Sequence, residues 1–133
     1  MLIRAITDGD EDRVVDLWEA CGLTRPGKAP RDYIALARKS PQAEIFVGIL
    51  DDEIVASALC GSDGHRGWVY YLAVTPKHQK DGLGAKMMAH GEIWLRDMGV
   101  SKVELMIRPE NKAVREVYER IEYAVEDRIV MSR

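Results

Sequence analysis

The stretch WVYYLAVTPKHQKDGLGAKMM, residues 68–88, decides how this chain is read. Trp68 to Val74 is a run of aromatic, β-branched and apolar residues of strand length. Residues 82–98 carry Leu83, Met87, Trp94 and Met98 on one helical face, and Gly99 follows as a stop. Between them lies Gln79-Lys80-Asp81-Gly82-Leu83-Gly84, a Q-x-x-G-x-G loop at a helix start. A helix N-terminus presents unpaired N–H groups and a partial positive charge, so it suits an anion. Glycine lets the backbone approach that anion and take positive φ. Lys77, Lys80 and Lys86 add charge and Asp81 opposes it, so backbone amides carry most of any binding. A Walker A loop is excluded, because Gly84 is followed by Ala85-Lys86-Met87 with no hydroxyl for magnesium. A Rossmann fingerprint is excluded, because position 87 is Met and several strands precede the loop. Taken alone, the loop reads equally well as a helix start with no ligand.

Working outward, LIRAI (2–6) alternates as a short strand, and Asp8 with Glu11 resembles a capping box. Val14, Leu17, Trp18 and Cys21 follow at helical spacing until Gly22. Residues 23–32 form a basic, proline-bearing loop, and 32–40 a second short helix. EIFVGIL (44–50) and EIVASALC (53–60) flank Asp51-Asp52 as a hairpin, with GSDGHRG (61–67) as the next turn. KVELMI (102–107) is a strand, and 111–120 a helix with Val114, Val117 and Ile121 toward the core. YAVEDRIVMSR (123–133) is expected to close with one or two strands. The order is β-α-α-β-β-β-α-β-α-β(-β). It predicts an α/β fold with one mixed, mostly antiparallel sheet and about four flanking helices. Strands 68–74 and 102–107 form a parallel pair through the helical crossover.

The 133 residues, 47% apolar and 31% charged, suit a single domain over 1–133. A net charge of −3 speaks against a general nucleic-acid binder. No apolar run approaches the roughly 18 residues of a membrane span. Cys21 and Cys60 lack metal or redox spacing and read as reduced, buried small hydrophobes, and His78 and His90 have no metal partners. The expectation is a cytoplasmic protein with no membrane or nucleic-acid partner and no metal.

In order along the whole chain, these features resemble the GNAT superfamily of N-acetyltransferases. Gln79-Lys80-Asp81-Gly82-Leu83-Gly84 is similar to that family's Q/R-x-x-G-x-G/A loop, and YLAVTPKHQ to its preceding strand end. RPENKAVREVYERIEY (108–123) resembles a second family stretch, in which Asn111 and Tyr118 lie two helical turns apart. GSDGHRGWVYYLAV with LWEACGLTRP further resembles a bacterial subgroup, the YpeA-like proteins. Glu122 stands where relatives carry glycine before the final aromatic, Lys80 replaces a common glycine, and Met106 replaces a catalytic Glu found in some relatives. Glu104 lies two residues before Met106, on the same strand face.

The resemblance implies acetyl-CoA as co-substrate and splayed central strands. Residues 79–84 would cradle its pyrophosphate, and Leu72, Ala73 and Val74 its pantetheine arm. Asn111 would contact coenzyme A, and Tyr118 would protonate the departing thiolate as general acid. A phenol near pKa 10 stays protonated at neutral pH. Glu104 is a candidate base, beside a water-mediated route in which Tyr70 or Tyr71, expected on opposite strand faces, holds the water. His65, oriented by Asp63, is a further candidate. The resemblance places the acceptor near Trp18, Arg25, Arg31, Tyr33, His65 and Tyr70, with Arg25 suited to a carboxylate. The acceptor is a primary amine on a small molecule or a peptide. Transfer of another acyl group, or a non-catalytic acyl-CoA sensor, are the rival readings. Monomer and homodimer are both open.

Overall fold

The computed structural model describes residues 1–27 and 29–133. Lys28, within the basic loop, lies outside the described residues. The elements run β1 (Leu2–Ala5), α1 (Glu11–Ala20), α2 (Pro30–Lys39), β2 (Ala43–Leu50), β3 (Glu53–Ser62), β4 (Gly67–Val74), α3 (Leu83–Asp97), β5 (Val103–Glu104) and α4 (Lys112–Glu119). The five strands form one sheet in chain order, antiparallel from β1 to β4 and parallel between β4 and β5.

Two apolar layers cover the sheet. On one face, Val14, Leu17 and Trp18 of α1 and Ile34 of α2 pack with Ile45, Val47 and Ala73. On the other, Leu83, Met87, Met88 and Leu95 of α3 pack with Phe46, Val55, Cys60 and Val69. The buried α3 face is thus 83/87/88/95, while Trp94 is half-buried and Met98 reaches solvent.

The β2–β3 hairpin turns through Asp51 and Asp52, at φ 50 and 63. Positive φ at both central residues is the type I′ geometry, which matches strand twist. Here aspartate supplies it without glycine. The α1 entry differs by one residue from the expected box. A 3-10 turn, Asp8–Asp10, leads into α1, and Thr7, not Asp8, caps that turn, its N–H and hydroxyl donating to Asp10 Oδ2 at 2.8 and 2.9 Å. Asp8 instead points outward to Arg38. Asp10 is fully buried, and Arg4 grips both its oxygens at 2.6 and 3.0 Å.

Three sequence expectations are corrected. Only Val103 and Glu104 of 102–107 pair with β4, and β5 is the sheet edge. No strand forms across 123–133, where Val125, Ile129, Val130 and Met131 are exposed. The alternating pattern is present, but a strand needs a partner for its backbone groups, and a two-residue edge offers little. On α4, Val114 and Val117 face outward, while Tyr118 and Ile121 turn inward against the α3 layer.

Candidate active site

The site begins at an irregularity in β4. Ser57 pairs with Ala73 but Leu59 pairs with Tyr70, so β4 carries one residue more than β3 across this interval. The surplus is a bulge centred on Tyr71, whose φ is 51. It inverts the alternation of side chains. Val69 packs in the α3 layer, and strict alternation would send Tyr71 there too, yet Tyr71 joins the α1–α2 layer. Tyr70 and Tyr71 therefore lean to the same side, against the expectation of opposite faces.

Beneath Tyr71 the support is specific. Its ring stacks on Trp18 at 3.9 Å and 13°. The Trp18 indole N–H donates to Ser57 Oγ at 2.9 Å, and that hydroxyl donates to the Tyr71 carbonyl at 2.9 Å. Trp18 is fully buried, so it supports the site and has no face open to an acceptor.

The partnership with β5 ends before the bulge. Beyond the Gly67–Val103 and Trp68–Glu104 pairs the two parallel strands part, and β4 runs on to Val74 without a β5 partner. Directly beyond that free edge stands the N-terminus of α3. Gly82 caps it at φ 76, a conformation that costs an L-residue about 1–2 kcal/mol. The first α3 bond runs from the Lys86 N–H to the Gly82 carbonyl. The amides from Gly82 to Ala85 are left to face outward, as at any helix start. Gln79 braces the junction, its amide donating to the Val74 carbonyl at 3.1 Å. Cys21, half-buried, donates to the same carbonyl at 3.2 Å. Asp81 is turned to His78 at 3.0 Å, away from the amides. Lys80 and Lys86 enter no ion pair among the described residues, while Lys77 pairs with Glu53.

Tyr118, on α4, faces the apolar layer under α3. Tyr118, Leu72, Val74 and Leu83 all pack against one apolar layer. Tyr118 meets Tyr123 edge-on at 5.9 Å, and the Tyr123 hydroxyl donates to Glu92 of α3 at 2.7 Å. Burial pushes the Tyr118 phenol up to about 12. Asn111 sits at the α4 cap, exposed. Ala73 and Leu83 are buried, so they present only backbone to a ligand.

Other predicted residues lie elsewhere. His65 is exposed in the β3–β4 turn, about seven strand residues, or roughly 20 Å, from Val74. Asp63 does not orient its ring. One Asp63 oxygen accepts the His65 and Arg66 backbone N–H groups and the other the Trp68 indole. Those bonds, from Arg66 first, hold Asp63 near 2. Glu104 is at the same end of β4, bound to Arg66 at 2.5 Å with Lys102 at 3.9 Å. Arg31 is held by Glu11 and Asp12. Arg25 and Tyr33, by contrast, meet Tyr71 in a cavity of about 150 Å³, whose wall also includes Leu23, Thr24 and Pro30. Tyr71 is placed by the sequence beside the site as a candidate water holder, not among the acceptor residues whose cavity it lines. Its trace in the sequence is the adjacent Tyr70-Tyr71 pair, which breaks strand alternation.

Residues 11–123 match the model of the acetyltransferase (GNAT) family. The chain belongs to that family. An acetyltransferase of Pectobacterium atrosepticum is 35% identical over 133 residues, all of this chain and 94% of that protein. The fold matches an aminoglycoside 6'-N-acetyltransferase from Acinetobacter haemolyticus with TM-score 0.84 at 11% identity, covering 100% of this chain and 97% of the other. An aminoglycoside N-acetyltransferase in complex with CoA superposes with TM-score 0.84 at 15% identity, over 99% and 93%. At those identities the structures speak for the GNAT fold alone. No group of three or more metal-ligating side chains occurs among the described residues.

Proposed function

We propose that this GNAT acetyltransferase transfers an acetyl group from acetyl-CoA to a primary amine, with Tyr118 as general acid. The observation that carries the reading is the parting of β4 from β5 directly before the free amides of α3. A pyrophosphate fits those amides, because they are preorganised donors at the positive end of a helix dipole. The unpartnered edge at Leu72–Val74 suits an extended, hydrogen-bonding arm such as pantetheine. Bound there, acetyl-CoA supplies a thioester as acyl donor. Backbone N–H groups at the β4 end would polarise its carbonyl.

Transfer forms a C–N bond and breaks a C–S bond. The amine must lose a proton and the thiolate must gain one. Tyr118 holds its proton throughout the neutral range and lies on the side of β4 that carries Leu72 and Val74. Asn111 would contact coenzyme A from the start of the same helix. Deprotonation is assigned to water, with Tyr70 and Tyr71 on the acceptor side of β4. Glu104 is badly placed to act as the base, since it is held by Arg66 beside Trp68, far down the strand from Val74. The half-buried and buried thiols of Cys21 and Cys60, both free, suit a reducing, cytoplasmic setting.

Tyr118→Phe tests the role. It should keep acetyl-CoA affinity within about twofold in calorimetry and lower kcat about 10²-fold or more in a thiol-release assay. Wild type that binds acetyl-CoA but acetylates no amine or peptide would favour an acyl-CoA sensor instead.

A further inference from the structure

The cavity between the α1–α2 loop and the β4 bulge has a charge character that separates classes of amine. Its described wall holds one ionisable cation, Arg25, two tyrosine rings and no carboxylate. The other arginines of this end of the molecule are already satisfied. Arg31 binds Glu11 and Asp12, and Arg38 binds Asp8. Arg25 enters none of the ion pairs among the described residues, and it is exposed.

The aromatic side is built firmly. Tyr71 is pinned on Trp18, and Tyr33 inclines over it at 6.3 Å and 43°. Burial, and then the neighbouring Tyr33 phenol, push Tyr71 above its ordinary value, so its hydroxyl stays neutral. A neutral, rigid aromatic wall accepts a flat or apolar body. A guanidinium fork opposite it matches a carboxylate in two bonds. Size narrows the choice further. About 150 Å³ holds an object of benzene size. A multi-ring polycation would also set ammonium groups against Arg25 with no acid to receive them.

We infer that the acceptor is a small primary amine that also carries a carboxylate. The carboxylate sits on Arg25, the body lies against the Tyr33–Tyr71 pair, and the amine is directed to the end of β4. The inference rests on the acetyl-transfer reading and narrows it to one acceptor class.

The test uses the intact protein with acetyl-CoA and thiol release as readout. Acceptors are the common amino acids, ω-amino carboxylates, the C-terminal amides of both sets, and kanamycin as a polycation. Acetyl-CoA binding is measured separately by calorimetry. The expected result is turnover of at least one amino carboxylate, with kcat/KM about tenfold or more above its own amide. Arg25→Gln should abolish that preference by raising KM with kcat unchanged, and Arg25→Lys should keep part of it. The inference is overturned if an amide or kanamycin is preferred, if R25Q leaves the preference intact, or if acetyl-CoA binds and no amino carboxylate reacts. Absence of acetyl-CoA binding overturns the donor reading, and the acceptor class with it.

Discussion

Glu122 shows how one residue departs from a pattern and still obeys its geometry. Three helices end with the same pair of bonds. After α1, Leu23 N–H reaches Trp18 O and Gly22 N–H reaches Glu19 O. After α3, Val100 reaches Leu95 and Gly99 reaches Arg96, and after α4, Tyr123 reaches Tyr118 and Glu122 reaches Glu119. This is the Schellman motif, which needs a left-handed residue at its centre. Gly22 and Gly99 take φ 69 and 96 at no steric cost, whereas Glu122 takes φ 72 as an L-residue. The resemblance to a family stretch with glycine here located this position, but only φ showed that the turn is kept and Glu122 bears the strain. Glu122→Gly should therefore raise stability by about 1 kcal/mol in urea unfolding, with the m-value unchanged. A loss of stability would mean that the Glu122 side chain contributes more than its backbone strains.

At the scale of elements, the loop before α3 was legible and the bulge was not. Helix starts are written in local sequence, and Gly82 and Gly84 fall where the α3 amides open. The bulge depends on the register between β3 and β4, which no single strand encodes. The same limit explains the missing closing strands, because alternation proposes a strand and only a partner makes one. Gly84 gives a test of the loop. A Cβ there would sit 3.8 Å from Val74 and 4.0 Å from Leu72, ordinary contacts at the end of the parted strand. Gly84→Ala should thus leave both stability and coenzyme affinity nearly unchanged. Gly84→Leu extends a side chain over the amides. It should raise the acetyl-CoA Kd about tenfold or more in calorimetry, while Tm moves only a few degrees. Equal affinity for Gly84→Leu and wild type would remove the loop from the binding site.

Over the whole molecule, what the sequence concealed is what long-range folding assembles. The cavity joins Leu23, Thr24, Arg25, Pro30 and Tyr33 to Tyr71, and the buried Asp10 ties β1 to α1. Asp10 carries a pH prediction. Arg4 first, then the Thr7 N–H and hydroxyl, outweigh burial and hold its carboxyl well below the usual range. Its unfolded value is about 3.9, so its contribution is fully present above about pH 5 and fades as pH falls through 4 and below. Asp10→Asn should lower stability at pH 7 by about 2–4 kcal/mol, and the gap to wild type should narrow as pH falls below 4. A constant gap would deny the ion pair its role.

The central claim is that acetyl-CoA lies along the free edge of β4 with its pyrophosphate on the α3 amides. It is tested most directly by amide chemical-shift mapping of the ¹⁵N-labelled protein titrated with acetyl-CoA. The account predicts the largest shifts at Gly82, Leu83, Gly84 and Ala85, with a second set at Leu72–Val74. Saturable binding with its largest shifts elsewhere, or no shifts at about millimolar coenzyme, would contradict it.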